Sequence, residues 1–222
     1  MDLKCVDKLL TTTRSVRRRL DFERPVEAEI IRECLQIAIQ APTGGNAQGW
    51  RFMVVTDAQK KARIGELYQE SFLIYARSRE EQSAAAGDQR QRDQEQSARV
   101  AKSAVYLARH MGEVPVMIIP CIDGRVEERG AMAQASLYGS ILPATWSLIL
   151  ALRARGLGSA YTTLHLRYES EIAELLGIPS IITQAALLPV AYFSGEDFKP
   201  AKRIPAAELT YWDEWGTVAS NQ

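Results

Sequence analysis

Apolar residues recur at helical spacing along much of the chain. Leu3, Val6, Leu9 and Leu10 interleave with Asp2, Lys4, Asp7 and Lys8, which describes an amphipathic first helix that stops near the β-branched run Thr11-Thr12-Thr13. Pro25 opens a second helix, with Ile30, Ile31, Cys34, Leu35 and Ala38 on one face. A β-branched run then predicts a strand over residues 51–56. Asp57 is placed to cap a third helix that carries Ile64, Leu67 and Tyr68. Residues 114–122 form a continuous apolar run of strand length, read as a buried second strand. A third strand is expected over residues 160–163, a short helix with Ile172, Leu175 and Leu176 ending at Gly177, and a fourth strand over residues 186–193. Helices set around a small mixed sheet make an α+β domain.

Two stretches break this rhythm. Residues 77–102 are almost wholly Arg, Glu, Gln, Ser and Ala, which fits a solvated helix, a disordered insert or a mobile lid over a pocket. Residues 131–152 carry no charge and are long enough to span a membrane. Gln134, Ser136, Ser140, Thr145 and a mid-run Pro143 favour instead a core helix kinked at the proline, with Gly156 just past its end. The last segment, residues 199–222, holds prolines and aromatics with little periodicity. It reads as an arm that packs on another surface, within one domain covering residues 1–222.

Charge and cysteine usage narrow the function classes. The 27 basic and 27 acidic residues leave no net field, so no nucleic-acid footprint covers the chain. Cys5, Cys34 and Cys121 are odd in number and lack a Cys-x-x-Cys pair, so neither a disulfide framework nor a zinc site is suggested. Reduced thiols and an N-terminus without an apolar signal core fit the cytoplasm. With only His110 and His165, a multi-histidine metal centre cannot be assembled. Neither a Gly-x-Ser-x-Gly nucleophile elbow nor a P-loop occurs, and the glycines at 156 and 158 lack the third of a dinucleotide fingerprint. Such a chain is easiest to reconcile with an organic cofactor that carries the reaction.

The richest polar stretch is residues 41–52, Ala-Pro-Thr-Gly-Gly-Asn-Ala-Gln-Gly-Trp-Arg-Phe. Asn46 and Gln48 each offer donors and an acceptor, which suits an imide or pyrimidine edge as well as an ordinary Asx turn. The stretch resembles the Ala-Pro-Ser-x-x-Asn-x-Gln-Pro-Trp-x-Phe signature of the FMN-dependent nitroreductase superfamily. Further segments are similar to that family's other signatures, in the same order: Arg14-Ser15-Val16-Arg17 with Pro25-Val26, Gly156-Leu157-Gly158, Leu175-Leu176-Gly177-Ile178-Pro179, Arg203-Ile204-Pro205 and Trp215-Gly216. Gly49 stands where the family has proline, a departure expected to loosen the loop.

The resemblance implies an intertwined homodimer with FMN at the subunit interface and the run 131–152 at its centre. It implies that Arg14, Ser15, Arg17 and Arg203 bind the flavin phosphate and its N1–O2 edge, with Lys202 an imperfect substitute for a lysine found at Ala201. Pro42, Thr43, Gly44 and Asn46 are expected to cover the isoalloxazine from the partner subunit, and Gln48 is expected to bind the cofactor as well. Thr163, Leu164, His165 and Leu166 are expected to bring backbone N–H groups to N5 and O4, with no side chain catalytic in its own right. The implied activity is NAD(P)H-dependent reduction of a nitroaromatic, quinone or related acceptor by a ping-pong scheme. Flavin destruction, dehalogenation, dehydrogenation of a specialised metabolite and simple FMN sequestration stand as alternatives.

Overall fold

A computed structural model describes residues 1–86, 94–195 and 197–217 of the chain. Contacts divide it into two units, residues 13–196 and residues 1–12 with 197–222.

The larger unit is built on five strands: β1 (Trp50–Val55), β2 (Val116–Asp123), β3 (Leu157–Ser159), β4 (Ile182–Gln184) and β5 (Leu188–Tyr192). The order is β1-β2-β5-β3, with β4 also on β2. The α+β architecture is as expected, but the pairings among the described residues are all antiparallel rather than mixed. β2 is buried from Val116 to Ile122 because it is paired along its length and covered by helix. The covering helices are α2 (Ala28–Ala38) and α5 (Ala131–Ala154). Ile31, Cys34 and Ala38 of α2 and Leu148, Ala151 and Leu152 of α5 pack with Ile118, Leu188 and Val190 of the sheet. Each aliphatic side chain so buried contributes about 1.5–3 kcal/mol.

Local sequence explains most element ends. The Asp57 carboxylate accepts the Lys60 N–H at 2.8 Å and starts α3 (Ala58–Ala86). Gly156 and Gly177 take φ of +78° and +69°, the left-handed turn that ends α5 and α6 (Glu169–Leu176). Three expectations need correction. α2 begins at Ala28 rather than at Pro25, since Glu27 is still extended at ψ 129°. The third strand is Leu157–Ser159, because the chain turns sheetward directly at Gly156; residues 160–163 make only an isolated bridge, Thr162 to Leu187. The expected fourth strand, residues 186–193, is β5, and ahead of it stands a strand the sequence did not announce, β4, set off at Ala185, whose N–H donates to the Pro120 carbonyl.

The polar stretch 77–102 is helical where described. α3 runs to Ala86 and α4 (Gln94–His110) returns beside it; residues 87–93 of the expected lid lie outside the described residues. Near their base α3 meets the 3-10 turn that follows α4, Met111–Glu113, backbone to backbone. A Cβ on Gly65 would stand 2.6 Å from the Gly112 nitrogen, and one on Gly112 would stand 3.1 Å from the Ala62 Cα.

α5 is long and apolar enough to cross a membrane, yet one side of it is core, including Ile141, Ala144, Thr145, Leu148 and Leu152. Its other side exposes Met132, Ser136, Gly139, Leu142 and Trp146, a stripe at steps of three and four residues. A Cβ on Gly139 would meet nothing within 4 Å. Pro143, four residues on, has no N–H to return to the Gly139 carbonyl.

In the smaller unit, α1 (Leu3–Thr12) is tied to the C-terminal segment by Lys8 and Asp197 at 2.7 Å. That segment has no regular structure through residues 201–205, makes one 3-10 turn at Ala206–Leu209, and exposes Ile204, Leu209, Trp212 and Trp215.

Candidate functional site

The loop between α2 and β1 is held in an unusual backbone. Gly45, Asn46 and Gln48 have φ of +58°, +53° and +51°, a region that glycine and asparagine tolerate best. Side chains fix it from within and from α5. The Gln48 N–H donates to Thr43 Oγ1 at 3.1 Å, and Gln48 Nε2 donates to Asn46 Oδ1 at 3.2 Å. The Gly44 N–H donates to Ser140 Oγ at 3.1 Å, and Trp50 Nε1 donates to the Ser140 carbonyl at 2.9 Å. Gly44 approaches α5 so closely that a Cβ there would lie 2.9 Å from Ser136 Oγ. Pro42 is exposed at the loop's entry. The Gly49 carbonyl accepts the Asp123 N–H at 2.9 Å and anchors the loop's exit to β2.

A second cluster forms where the chain leaves α1. The Val16 N–H donates to the Ser159 carbonyl at 2.8 Å, seating residues 14–20 against β3. Gly158 has no space for a side chain, because a Cβ there would sit 3.0 Å from Val16 Cβ and 3.1 Å from Leu20 Cδ2. Arg14 and Ser15 are exposed, while Arg17 turns inward and is half-buried. Its guanidinium donates to Ser103 Oγ at 3.4 Å, a long bond for a charged donor. Burial lowers the Arg17 pKa below its ordinary value, with the nearby Tyr68 phenol acting against that. Burial raises the Tyr68 pKa, and its hydroxyl hydrogen-bonds Thr162. Tyr68 thus joins the arginine segment to the third cluster. In the sequence it reads only as a core position of α3.

That third cluster is the turn after Thr162, whose Oγ1 donates to the Leu187 carbonyl at 2.7 Å. Residues Leu164–Tyr168 form a 3-10 turn with Thr163 at its start. The Leu166 N–H is taken by the Thr163 carbonyl at 3.1 Å, whereas those of Leu164 and His165 precede the first bond of the turn. The His165 side chain is fully buried, and among the described residues neither ring nitrogen has a hydrogen-bond partner. Burial lowers its pKa to about 4, against a weaker pull from Glu169. A neutral imidazole so enclosed is no proton donor at neutral pH, which leaves the backbone as what His165 offers. Behind it, Glu169 holds Arg125 by two bonds of 2.8 and 2.9 Å and accepts the Gln184 N–H at 3.0 Å.

Within the larger unit, the sequence-predicted residues therefore stand on two supports. Arg14, Ser15 and Arg17 share theirs with Thr163, Leu164, His165 and Leu166 through β3, Tyr68 and Thr162. Pro42, Thr43, Gly44, Asn46 and Gln48 are carried by α5, through the exposed Ser136 and the buried Ser140. In the sequence these two serines argue only against a membrane span, although hydroxyls in an otherwise apolar run were also the signal of this role. Lys202 and Arg203 are exposed on the C-terminal segment of the smaller unit. Among the described residues no cluster of His, Cys, Asp and Glu suits a metal ion.

The arrangement has counterparts in known proteins. The family model described as "Nitroreductase family" matches residues 10–192. A protein named NADH dehydrogenase from Thermus thermophilus is 29% identical over 216 residues, covering 90% of this chain and 91% of its own. One named iodotyrosine deiodinase from Thermotoga neapolitana is 28% identical over 192 residues, covering 86% and 89%. Among solved structures, an oxidized iodotyrosine deiodinase bound to FMN and 3-iodo-L-tyrosine superposes with a TM-score of 0.64 at 23% identity, covering 96% of this chain and 99% of the other.

Proposed function

Since this chain belongs to the nitroreductase family, we propose that it is an FMN-dependent oxidoreductase, with NAD(P)H giving electrons to the flavin and an acceptor such as a nitroaromatic or quinone taking them in a second, separate binding event. Bound FMN supplies the two-electron chemistry; the chain binds it, orients it and keeps water from it.

The observation that carries this reading is Arg17. A half-buried guanidinium beside a phenol, with one long bond to a serine, is costly unless an electron-rich group completes its shell. The flavin phosphate or its N1–O2 edge is such a group. Arg14 and Ser15 flank it, and the N–H groups of Leu164 and His165 suit the N5 and O4 positions on the same support. Arg203 and Lys202, in the smaller unit, are proposed as flavin ligands on the strength of the motif they match alone. The loop of Asn46 and Gln48 stands on a separate support, α5, and we read one chain as supplying two incomplete halves. A second copy brought together along α5 supplies the missing half of each, and the exposed side of that helix, bare at Gly139, suits the approach of a like helix.

The test begins with colour. Purified protein is expected to be yellow, to release one FMN per chain on acid treatment, and to consume NADPH or NADH with a nitroaromatic acceptor. Replacing Arg14 or Arg17 by alanine is expected to weaken FMN binding by roughly 10- to 150-fold, the worth of a hydrogen bond to a charged group. With riboflavin as the control ligand, an arginine that contacts phosphate loses its effect, and one at the N1–O2 edge keeps it. Colourless protein that does not take up added FMN would refute the reading. The comparable identity to a deiodinase sustains reductive dehalogenation as a second reading, and faster turnover of 3-iodotyrosine than of any nitroaromatic or quinone would favour it.

A further inference from the structure

A depression of about 260 Å³ lies between the loop after Arg17 and the last turns of α4, lined by Arg18, Lys102, Val105, Tyr106, Arg109 and His110. Its walls are fixed. Phe22 stacks on Tyr106 with ring centroids 6.3 Å apart and planes within 13°, and Tyr106 meets His110 at 4.4 Å. The Arg18 guanidinium lies 5.9 Å from the centre of the Tyr106 ring, and Arg17 reaches α4 through Ser103. The His110 ring faces the Glu113 carboxylate at 3.0 Å.

The charge in this pocket is one-sided. Among the described residues no carboxylate pairs with Arg18, Lys102 or Arg109, and the Glu113 carboxylate beside His110 is engaged by that ring. The sequence makes this so. From Ser97 to His110 there is no acidic residue, and from Arg14 to Leu20 there is none either; Asp21, the next one, is engaged by the Glu23 and Arg24 N–H groups. Three cations around one hollow repel one another, and an anion relieves that repulsion best where apolar walls limit screening. The hollow falls just short of the roughly 300–1,000 Å³ of drug-sized sites. It fits a phosphate or pyrophosphate group better than a whole nucleotide.

We propose that this pocket is an anion site that holds the phosphate groups of a larger phosphorylated ligand, with Arg18, Lys102 and Arg109 as its binding side chains and Tyr106 as its floor. It uses none of the residues assigned to the flavin. Two sources share this chemistry: a phosphate of the pyridine nucleotide that serves the proposed reaction, and a separate phosphorylated metabolite.

Isothermal titration of the full chain with inorganic pyrophosphate, at low salt and with saturating FMN, tests the site. Binding of one pyrophosphate per chain below millimolar concentration is expected, weakened at least tenfold in the exposed-residue variants Lys102→Ala and Arg109→Ala and lost in the double variant. Competition by NADP⁺ but not NAD⁺ assigns the pocket to a nucleotide 2′-phosphate. Competition by both assigns it to the dinucleotide pyrophosphate, and by neither to another phosphorylated ligand. Absence of binding at 1 mM would overturn the proposal. So would binding that survives both variants, or binding lost on Arg14→Ala, which would place the anion with the flavin phosphate. The heat is read without turnover, so a chain that proved redox-inactive would fail the proposed function while leaving this site testable.

Discussion

Gly139→Arg is expected to turn a flavin-loaded dimer into a folded, colourless monomer. Within one chain nothing stands against the substitution. A side chain at 139 meets no atom within 4 Å, and exchanging glycine for arginine inside a helix favours the helix by roughly 0.5–1 kcal/mol. If the exposed side of α5 faced only water, the variant would be at least as stable as the parent. If a second α5 crosses there, the guanidinium must be desolvated against apolar neighbours such as Leu142 and Trp146, or hold the helices apart. Either cost is on the order of 4 kcal/mol, about a thousandfold in dimer affinity. The flavin goes with the dimer because the loop of Asn46 and Gln48 rides on Ser136 and Ser140 of the same helix. Sedimentation velocity at micromolar concentration with absorbance near 450 nm reads both outcomes at once. A yellow dimer of parental affinity would remove the helix from the interface.

The second large effect is a loss of stability on mild acidification that originates at His165. Its imidazole titrates near 6.5 when unfolded and at about 4 in the fold, because burial opposes the charge. Between those values the unfolded chain holds the extra proton, so stability rises with pH across that window. The contribution is intact above the unfolded value and falls away as pH drops toward the folded one. By pH 4 the loss is about 3 kcal/mol, and by pH 5 about 2 kcal/mol, at roughly 1.4 kcal/mol per pH unit. Glu169, whose pKa the Arg125 pair and the Gln184 N–H lower against desolvation, adds its loss only below the ordinary carboxylate range. The interval between pH 6.5 and 5 therefore isolates the histidine. Urea unfolding of the parent and of His165→Leu across that interval is the measurement: the parent should lose stability and the variant should not. Parallel curves would show that His165 takes up its proton without strain.

Helices were the legible part of this sequence. The α2 and α5 patterns, the Asp57 cap and the two glycine stops are local signals, and local signals survive folding. The strands were harder to read. Residues 160–163 look β-prone, yet the helix end at Gly156 sends the chain into the sheet three residues earlier, and the turn at Thr163 then ends the pairing. β4 is too short to announce itself, existing because the end of β2 needs a partner. The site divides in the same way. The backbone demands of Gly45, Asn46 and Gln48 show in a loop rich in glycine and side-chain amides. That Arg17 turns inward to Tyr68 while Arg18 turns toward Tyr106 follows from the fit of Val16 and Leu20 over Gly158, a long-range contact that no pattern in residues 14–20 encodes. Gly139 was silent for the opposite reason, since a glycine within a helix reads only as a weakness.

The side-chain-free crossing of Gly65 and Gly112 also determines where this chain is free to change length. The α3–α4 hairpin is clamped at its base by that crossing, by the Tyr68–Thr162 bond and by the buried Ser71. From Leu73 to Tyr75 on the way out, and from Ser97 to Lys102 on the way back, its side chains are exposed. Among the described residues these stretches bury no core, so turns of helix added or removed there leave the base in place. The outer hairpin is thus the part of the fold in which insertions and deletions can accumulate at little cost to the sheet, so that lineages can differ in what they present above the base while β2, α5 and the arginine loop stay fixed in register.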